Sequence, residues 1–233
     1  MTFVALRSLW TYLDGPKRPC MFRKFHLLAI SAILLFAGCK KDEAAAPADE
    51  PTPPVTFDLS IDGAQGVRML LDGQEVTVSE EGNVVAFPET DGVANDPPAL
   101  SQRLYVASLY DVDLDLVVFR ILKGTLNHLG PQVINEDFYG FFVPNTYAYG
   151  AAATGMQGVE LEWTDATGMT WSTQCGGGQT GSAFQITEVQ EGQDKLGPFI
   201  VVKATFTAQF HSCATGAVKA ATNGVLVLRF REF

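Results

Sequence analysis

Val159-Glu160-Leu161-Glu162-Trp163 is the stretch in which the fold shows most clearly. Apolar and acidic residues alternate, so Val159, Leu161 and Trp163 share one face of an extended chain and the two glutamates share the other. This period of two predicts a β-strand with one face in the core and one face toward solvent. We therefore expect Trp163 in the core and both glutamates on the polar face.

The same alternation recurs on both sides of this strand, and Gly, Asn, Asp and Pro separate the segments. No segment shows a helical period over three turns. Residues 114–122 form an almost continuous apolar run, which predicts a central strand, whereas 89–99 is acidic and contains Pro, which predicts a loop. The remaining predicted strands are 55–61, 67–71, 76–78, 84–87, 104–109, 138–143, 146–149, 169–173, 184–189, 199–210, 217–221 and 225–230.

These short strands predict an all-β fold for residues 55–233, formed by one domain. We expect an antiparallel β-sandwich, with a β-barrel as the alternative. A domain of this length can bury one hydrophobic core without the help of a metal.

Composition limits the function. The chain has 233 residues, 47% of them hydrophobic and 18% charged, so it is not disordered throughout. Its net charge of −10 argues against nucleic acid as a partner, because phosphate binding depends on clustered Lys and Arg. With 3 His and 4 Cys there is little material for metal or nucleophile chemistry, and we expect no metal and no cofactor.

The N-terminal region carries a targeting signal. Arg23 and Lys24 precede the apolar run 27–36, which as a helix spans only about 15 Å and is too short to cross a bilayer. Ala37 and Gly38 then lead into Cys39, and this arrangement resembles the lipobox of bacterial lipoproteins. The resemblance implies cleavage before Cys39 and lipidation of its thiol. The alternative is a buried helix with an incidental Cys.

The length of this signal indicates where translation starts. Counted from Met21, residues 21–38 have the usual length of a signal peptide, so we interpret 1–20 as a mis-assigned extension. An extension with its own role is the alternative. Residues 39–54 contain four prolines between 44 and 54 and predict a tether that links the lipidated Cys39 to the β domain.

A sequence resemblance covers most of 55–233 and rests on the segments 57–63, 158–163, 168–173, 182–187, 204–206 and 222–224. These segments resemble an uncharacterised family of β-rich surface lipoproteins from Gram-negative bacteria. The family has no established activity, so it implies no catalytic residues. It implies a location at the outer membrane, held by acyl chains such as palmitate and facing the periplasm or the cell surface.

Cys175 and Cys213 remain after processing. An exported compartment is oxidising, so we expect them to form a disulfide, with two buried free thiols as the alternative. His211 would share a strand face with Cys213, which makes a Cys–His pair conceivable, but we favour the disulfide.

Four further patterns bear on ligands. Tyr147 and Tyr149, beside a Pro-Asn turn, are candidate ligand-binding residues for a sugar. Asp111, Asp113 and Asp115 would share one strand face; they lack the Gly of a calcium loop, so we interpret them as a solvated strand edge. The segment 176–182 is Gly-rich without the Lys of a phosphate loop and predicts a flexible hairpin or turn. Glu160 and Glu162 share a face at a spacing that a glycosidase would also use.

Together these features predict an exported lipoprotein held on the lipid bilayer through Cys39. We expect a non-catalytic binding or structural protein of the cell envelope, whose partner is a glycan or an envelope protein. A carbohydrate-binding accessory domain is the alternative, and a glycosidase ranks last because no nucleophile, base and orienting group converge.

Overall fold

Antiparallel strands dominate the computed structural model, which describes residues 59–80, 83–150 and 157–233. Strand accounts for 62% and helix for 4% of it, so the predicted all-β antiparallel class is confirmed. The chain divides into two units, Met1–Pro51 and Thr52–Phe233. The signal peptide, Cys39, the tether and the first four residues of the strand predicted at 55–61 lie outside the described residues.

Eleven strands and one short helix make up the described part of the second unit. In chain order they are β1 (Gly66–Leu71), β2 (Gln74–Ser79), β3 (Val84–Val93), β4 (Leu100–Asp111), β5 (Leu116–Leu129), α1 (Asn135–Gly140), β6 (Asn145–Tyr147), β7 (Val159–Thr164), β8 (Thr170–Ser172), β9 (Ala183–Asp194), β10 (Gly197–Ser212) and β11 (Val218–Arg231).

All eleven strands belong to one sheet. Its hydrogen-bonded order is β2-β1-β11-β10-β8-β7-β5-β4-β3, while β9 pairs with both β10 and β6. The sheet curls by 230°, like a half-barrel. The predicted central position is confirmed for residues 116–122, because β5 lies inside the sheet between β4 and β7. Residues 114 and 115 lie in the turn before β5.

The core lies on the concave face of the curled sheet. Alternate residues of β10, from Ile200 through Val202 and Ala204 to Phe206, are buried there, together with Phe119 of β5. Burial of apolar area at about 25 cal/mol per Å² is the main stabilising term for such a face. Trp163, predicted as a core residue, is half-buried and packs against the same cluster.

The helix α1 corrects one sequence prediction. Residues 138–143 were expected to form a strand, but Phe138 is inside α1, and Phe141 and Phe142 follow its end. Their rings pack with Tyr105 of β4 at centroid distances of 5.2, 5.8 and 5.4 Å. A helical turn is favoured because it points all three phenylalanines into the concave side of the sheet, where each is buried.

The edge strand β3 corrects a second prediction. The strand was expected to stop at Pro88 and 89–99 to be a loop, but β3 continues to Val93. Proline is tolerated because β3 is the last strand in the sheet order, so no further strand needs its missing N–H. The Glu80 carboxylate accepts the N–H of Ala86, and Asp91 accepts that of Gly92, so this edge is partly closed to pairing.

Two smaller corrections concern strand limits. The segments 217–221 and 225–230 form one strand, β11, with irregular register near Asn223, whose φ is +51°. Residues 59–61 are not in a strand; they lead into the predicted turn at Asp62-Gly63, where the Gly63 N–H donates to the Ser60 carbonyl.

Candidate functional site

A groove beside β6 contains both tyrosines that the sequence suggested as ligand-binding residues. Its volume is about 520 Å³. We call it the tyrosine groove, and it is lined by Thr146, Tyr147, Ala148, Tyr149, Gln179, Thr180, Ser182 and Ala183.

Strand pairing places the two tyrosines. Tyr147 of β6 pairs with Phe184 of β9, and Tyr149 bridges to Val159 of β7. Residues i and i+2 of an extended segment share a face, so both rings point the same way, and both are half-buried against the core.

Hydrogen bonds fix the orientation of both rings. The Tyr147 hydroxyl donates to the Val143 carbonyl at 2.8 Å, and the Tyr149 hydroxyl donates to the Thr207 carbonyl at 2.8 Å. Burial raises the pKa of both phenols, so they stay neutral at physiological pH. The groove therefore presents two neutral aromatic rings whose positions are set before any ligand arrives.

The groove lies where the sheet divides. Strand β10 pairs with β9 from Gly197 to Thr207 and with β8 at His211 and Ser212, which leaves Gln209 without a strand partner on that side. The side chain of Gln179 takes the place of a strand. Its Oε1 accepts the Gln209 N–H at 2.9 Å, and its Nε2 donates to the carbonyls of Gln209 at 2.6 Å and Thr173 at 3.2 Å.

The predicted cysteine pair holds the start of the same loop. Cys175 and Cys213 lie at disulfide distance, with Cα atoms 4.8 Å apart, as predicted from the sequence. The next residue, Gly176, has a φ of +115°, and a Cβ there would lie 3.1 Å from Nδ1 of His211. The Gly-rich segment 176–182 is therefore the predicted turn, attached to β10 by the cysteine pair, by contact with His211 and by Gln179.

Three hydroxyls of the groove are available for a ligand. The side chains of Thr146, Thr180 and Ser182 make no hydrogen bond with any residue in the ranges that the structure describes. Hydroxyls both donate and accept, and they stand here beside aromatic rings. This combination suits a ligand with alternating apolar and hydroxyl-bearing faces.

A buried lysine adjoins the groove and was not anticipated from the sequence. Lys123 of β5 is 1% exposed, and its Nζ lies 3.8 Å from the Phe141 ring centroid and 4.2 Å from the Tyr147 ring centroid. Nζ donates to the Gln157 carbonyl at 2.9 Å. Burial lowers the pKa of this amine to about 7. The sequence does contain a sign of this buried lysine. Lys123 stands at alternate positions with Phe119 and Ile121, two core residues of the same strand, so all three share its buried face.

The three aspartates do not share a strand face, which contradicts the sequence interpretation. Asp111 ends β4, and its carboxylate accepts the N–H groups of Asp113 and Leu114, at 2.9 and 3.0 Å. The Asp113 carboxylate accepts a hydrogen bond from the Asn83 side chain, and the Asp115 carboxylate accepts one from the Tyr110 hydroxyl. The backbone of Asp115 has a φ of +52°. Aspartate side chains stabilise tight turns in this way, and these three shape the β4–β5 hairpin.

The two glutamates of β7 share the polar face as predicted, and both are engaged. Glu160 accepts a hydrogen bond from Gln174, and Glu162 forms an ion pair with Arg120 at 3.4 Å. The cavity that they line with Arg120 and Leu122 has a volume of about 20 Å³. That is room for about one water molecule, far less than a sugar ring needs.

Within residues 59–80, 83–150 and 157–233, no group of three or more His, Cys, Asp or Glu is arranged to hold a metal ion. None of the helical structure in those ranges is long and apolar enough to cross a membrane. The lipidation site Cys39 lies outside the described residues and stays a prediction.

Comparisons with known proteins returned no match, whether against protein-family models, curated proteins or solved structures. The resemblance to a family of β-rich surface lipoproteins therefore stays a prediction from the sequence.

Proposed function

We propose that this chain is a lipid-anchored, non-catalytic binding protein of the bacterial cell envelope, and that its ligand binds in the tyrosine groove. The anchor rests on the sequence of residues 21–43, with Cys39 as the lipidated residue and the bilayer as the partner of its acyl chains. The Pro-rich tether then joins the β domain, which is held at the outer membrane and faces an aqueous compartment.

One observation carries the choice of site. Tyr147 and Tyr149 are held by hydrogen bonds to backbone carbonyls, and the hydroxyls of Thr146, Thr180 and Ser182 stand beside them. Rigid rings lose little conformational entropy on binding, and polar groups around them set orientation. The apolar faces of a sugar stack on such rings while its hydroxyls bond to the three side chains, so we assign a glycan as the ligand class.

A glycosidase is the weaker proposal. Its two carboxyl groups would be Glu160 and Glu162, but the Arg120 guanidinium faces Glu162 and the cavity between them holds about 20 Å³. Inverting and retaining enzymes both need space for a sugar between their carboxyl groups. This geometry supports a polar outer face of the sheet.

A glycan array tests the binding site. The chain from residue 39, with Cys39→Ser to keep it soluble, is compared with the double variant Thr180→Val/Ser182→Ala. The exposed Thr222→Val on β11 is the matched control, because it removes a hydroxyl outside the groove. We expect the wild type to retain a defined set of glycans, the double variant to bind them about tenfold or more weakly, and the control to bind as the wild type does.

Two outcomes would contradict the proposal. In the first, the wild type retains no glycan at all. In the second, the double variant, still folded by its urea midpoint, binds as tightly as the control.

A further inference from the structure

Four large apolar side chains are exposed at one end of the curled sheet. Each is 55–69% exposed although a soluble domain gains nothing by presenting them. Single exposed apolar residues are ordinary, but a group at one end marks an interaction surface. We call this group the apolar rim, and it consists of Leu100, Leu129, Leu196 and Phe233.

Strand pairing shows that the rim residues belong to the same end. Leu100 begins β4 and pairs directly with Leu129, the last residue of β5. Phe233 follows β11 next to the turn that contains Leu196, since the Glu232 N–H donates to the Pro198 carbonyl. The two pairs are linked by the salt bridge between Arg103, three residues from Leu100, and Glu232 at 3.3 Å.

The chain enters the domain from the rim half of the sheet. Gly66, the first residue of β1, pairs with Val227, while Leu71 pairs with Ala221, so β1 runs away from the rim. Asp62, just before β1, accepts a hydrogen bond from Gln190 of β9, which also lies in that half. Only residues 40–61 separate Asp62 from the expected lipid anchor at Cys39.

A chain of this length keeps the domain close to its anchor. About 20 residues extend to roughly 70 Å at most. Tethering over such a distance gives an effective concentration of the order of millimolar, so even a weak contact with the surface is populated.

We propose that the apolar rim rests on the bilayer interface and orients the domain on the membrane, an inference that builds on the proposed lipid anchor. Aliphatic and aromatic side chains of this kind insert at the boundary between head groups and acyl chains. Charges of both signs lie at this end, where Arg103 pairs with Glu232 and Arg231 pairs with Asp194, so the surface it fits is zwitterionic rather than anionic lipid.

This orientation keeps the tyrosine groove accessible. Ala183 of the groove pairs with Thr207, and Gly197 at the rim end begins the same strand, β10. Ten residues of strand correspond to about 33 Å. The groove therefore stands clear of the lipid surface when the rim rests on it.

Flotation with phosphatidylcholine vesicles at millimolar lipid, which matches the effective concentration that tethering provides, tests the proposal. The chain from residue 39 with Cys39→Ser carries no acyl group, so any binding comes from the domain. The rim variant is Leu129→Glu/Leu196→Glu/Phe233→Glu. Its matched control is Val85→Glu/Phe87→Glu/Val117→Glu, which places the same charges at outer-face positions that are 37–53% exposed. Urea midpoints confirm that both variants fold.

We expect the wild type and the control to float with the vesicles, with partition coefficients within about twofold of each other, and the rim variant to partition about tenfold or more weakly. Equal loss in both variants, or no flotation of the wild type, would overturn the proposal. A concentration-dependent dimer that the rim variant abolishes, without flotation, would assign the rim to a second copy and overturn it too. Because Cys39 is absent here, the outcome is independent of whether the native chain is lipidated.

Discussion

At the scale of single residues, Lys123 is the least expected feature of the domain. It is a lysine on the concave face, and among the described residues no carboxylate lies within ion-pair distance of it. The rings of Phe141 and Tyr147 and the Gln157 carbonyl take the place of a counter-ion. The amine therefore holds the Tyr147 ring in place on its core side, and the same ring lines the tyrosine groove.

Lys123 makes stability depend on pH. The folded amine has a pKa of about 7 against an ordinary 10.5, so between these values the unfolded chain binds more protons and stability rises with pH. From pH 7 to 9.5 we expect a gain of up to roughly 3 kcal/mol in the free energy of unfolding. The window stops there because buried Tyr149 has a raised pKa, which costs stability once unfolded tyrosines ionise near pH 10.

Urea unfolding at a series of pH values measures this gain. Lys123→Met should make the curve flat from pH 7 to 9.5, while exposed Lys195→Met should keep the wild-type slope. A slope that survives in Lys123→Met would show that another group is responsible.

At the scale of elements, alternation in the sequence predicted most strands because each has one buried face. It failed where packing overrides the local pattern. Phe138, Phe141 and Phe142 stand at helical spacing and follow Glu136 and Asp137, a favourable first turn. Large apolar residues at this density are also typical of a β-strand. The helical turn is favoured because it lets the three rings fill the concave space beside Tyr105.

The loop that lines the groove was predicted only in part. The turn at 176–182 was predicted from composition, and the cysteine pair was predicted from the expected oxidising compartment. The role of Gln179, whose side chain replaces a missing strand, could not be predicted from the sequence, because glutamine is common in Gly-rich turns. The tyrosines were identified from their place beside a Pro-Asn turn. Two of the three groove hydroxyls, those of Thr180 and Ser182, come from a distant segment that only the pairing of β6 with β9 brings close.

Gln179→Ala should therefore destabilise the domain more than a surface substitution does. Three hydrogen bonds to the backbone at 173 and 209 are lost, and part-buried groups are left unpaired. We expect a cost of about 1–3 kcal/mol in urea unfolding. Gln185→Ala, on the exposed face of β9, should cost less than about 0.5 kcal/mol. Equal effects would show that Gln179 does not hold the divided sheet together.

At the scale of the whole molecule, the proposed protein consists of an anchor, a tether and a binding domain. The anchor and the tether are predictions from the sequence, whereas the structure shows a sheet whose groove and apolar rim lie far apart along β10. Each part has a physical reason. Acyl chains would attach the protein stably to a bilayer, and a Pro-rich spacer would set its distance from the anchor. The segment 176–182, held by the cysteine pair and Gln179, keeps the groove rigid.

The mass of the intact protein purified from bacterial membranes tests this account most directly. We predict a chain that begins at Cys39 and carries a diacylglycerol with its acyl chains. Its mass should be two hydrogens lower than that of the same chain after reduction, because of the Cys175–Cys213 bond. The Cys39→Ala variant should carry no lipid mass. A soluble chain that retains residues 21–38 and has no lipid mass would contradict the anchor and, with it, the proposed place of the protein in the cell envelope.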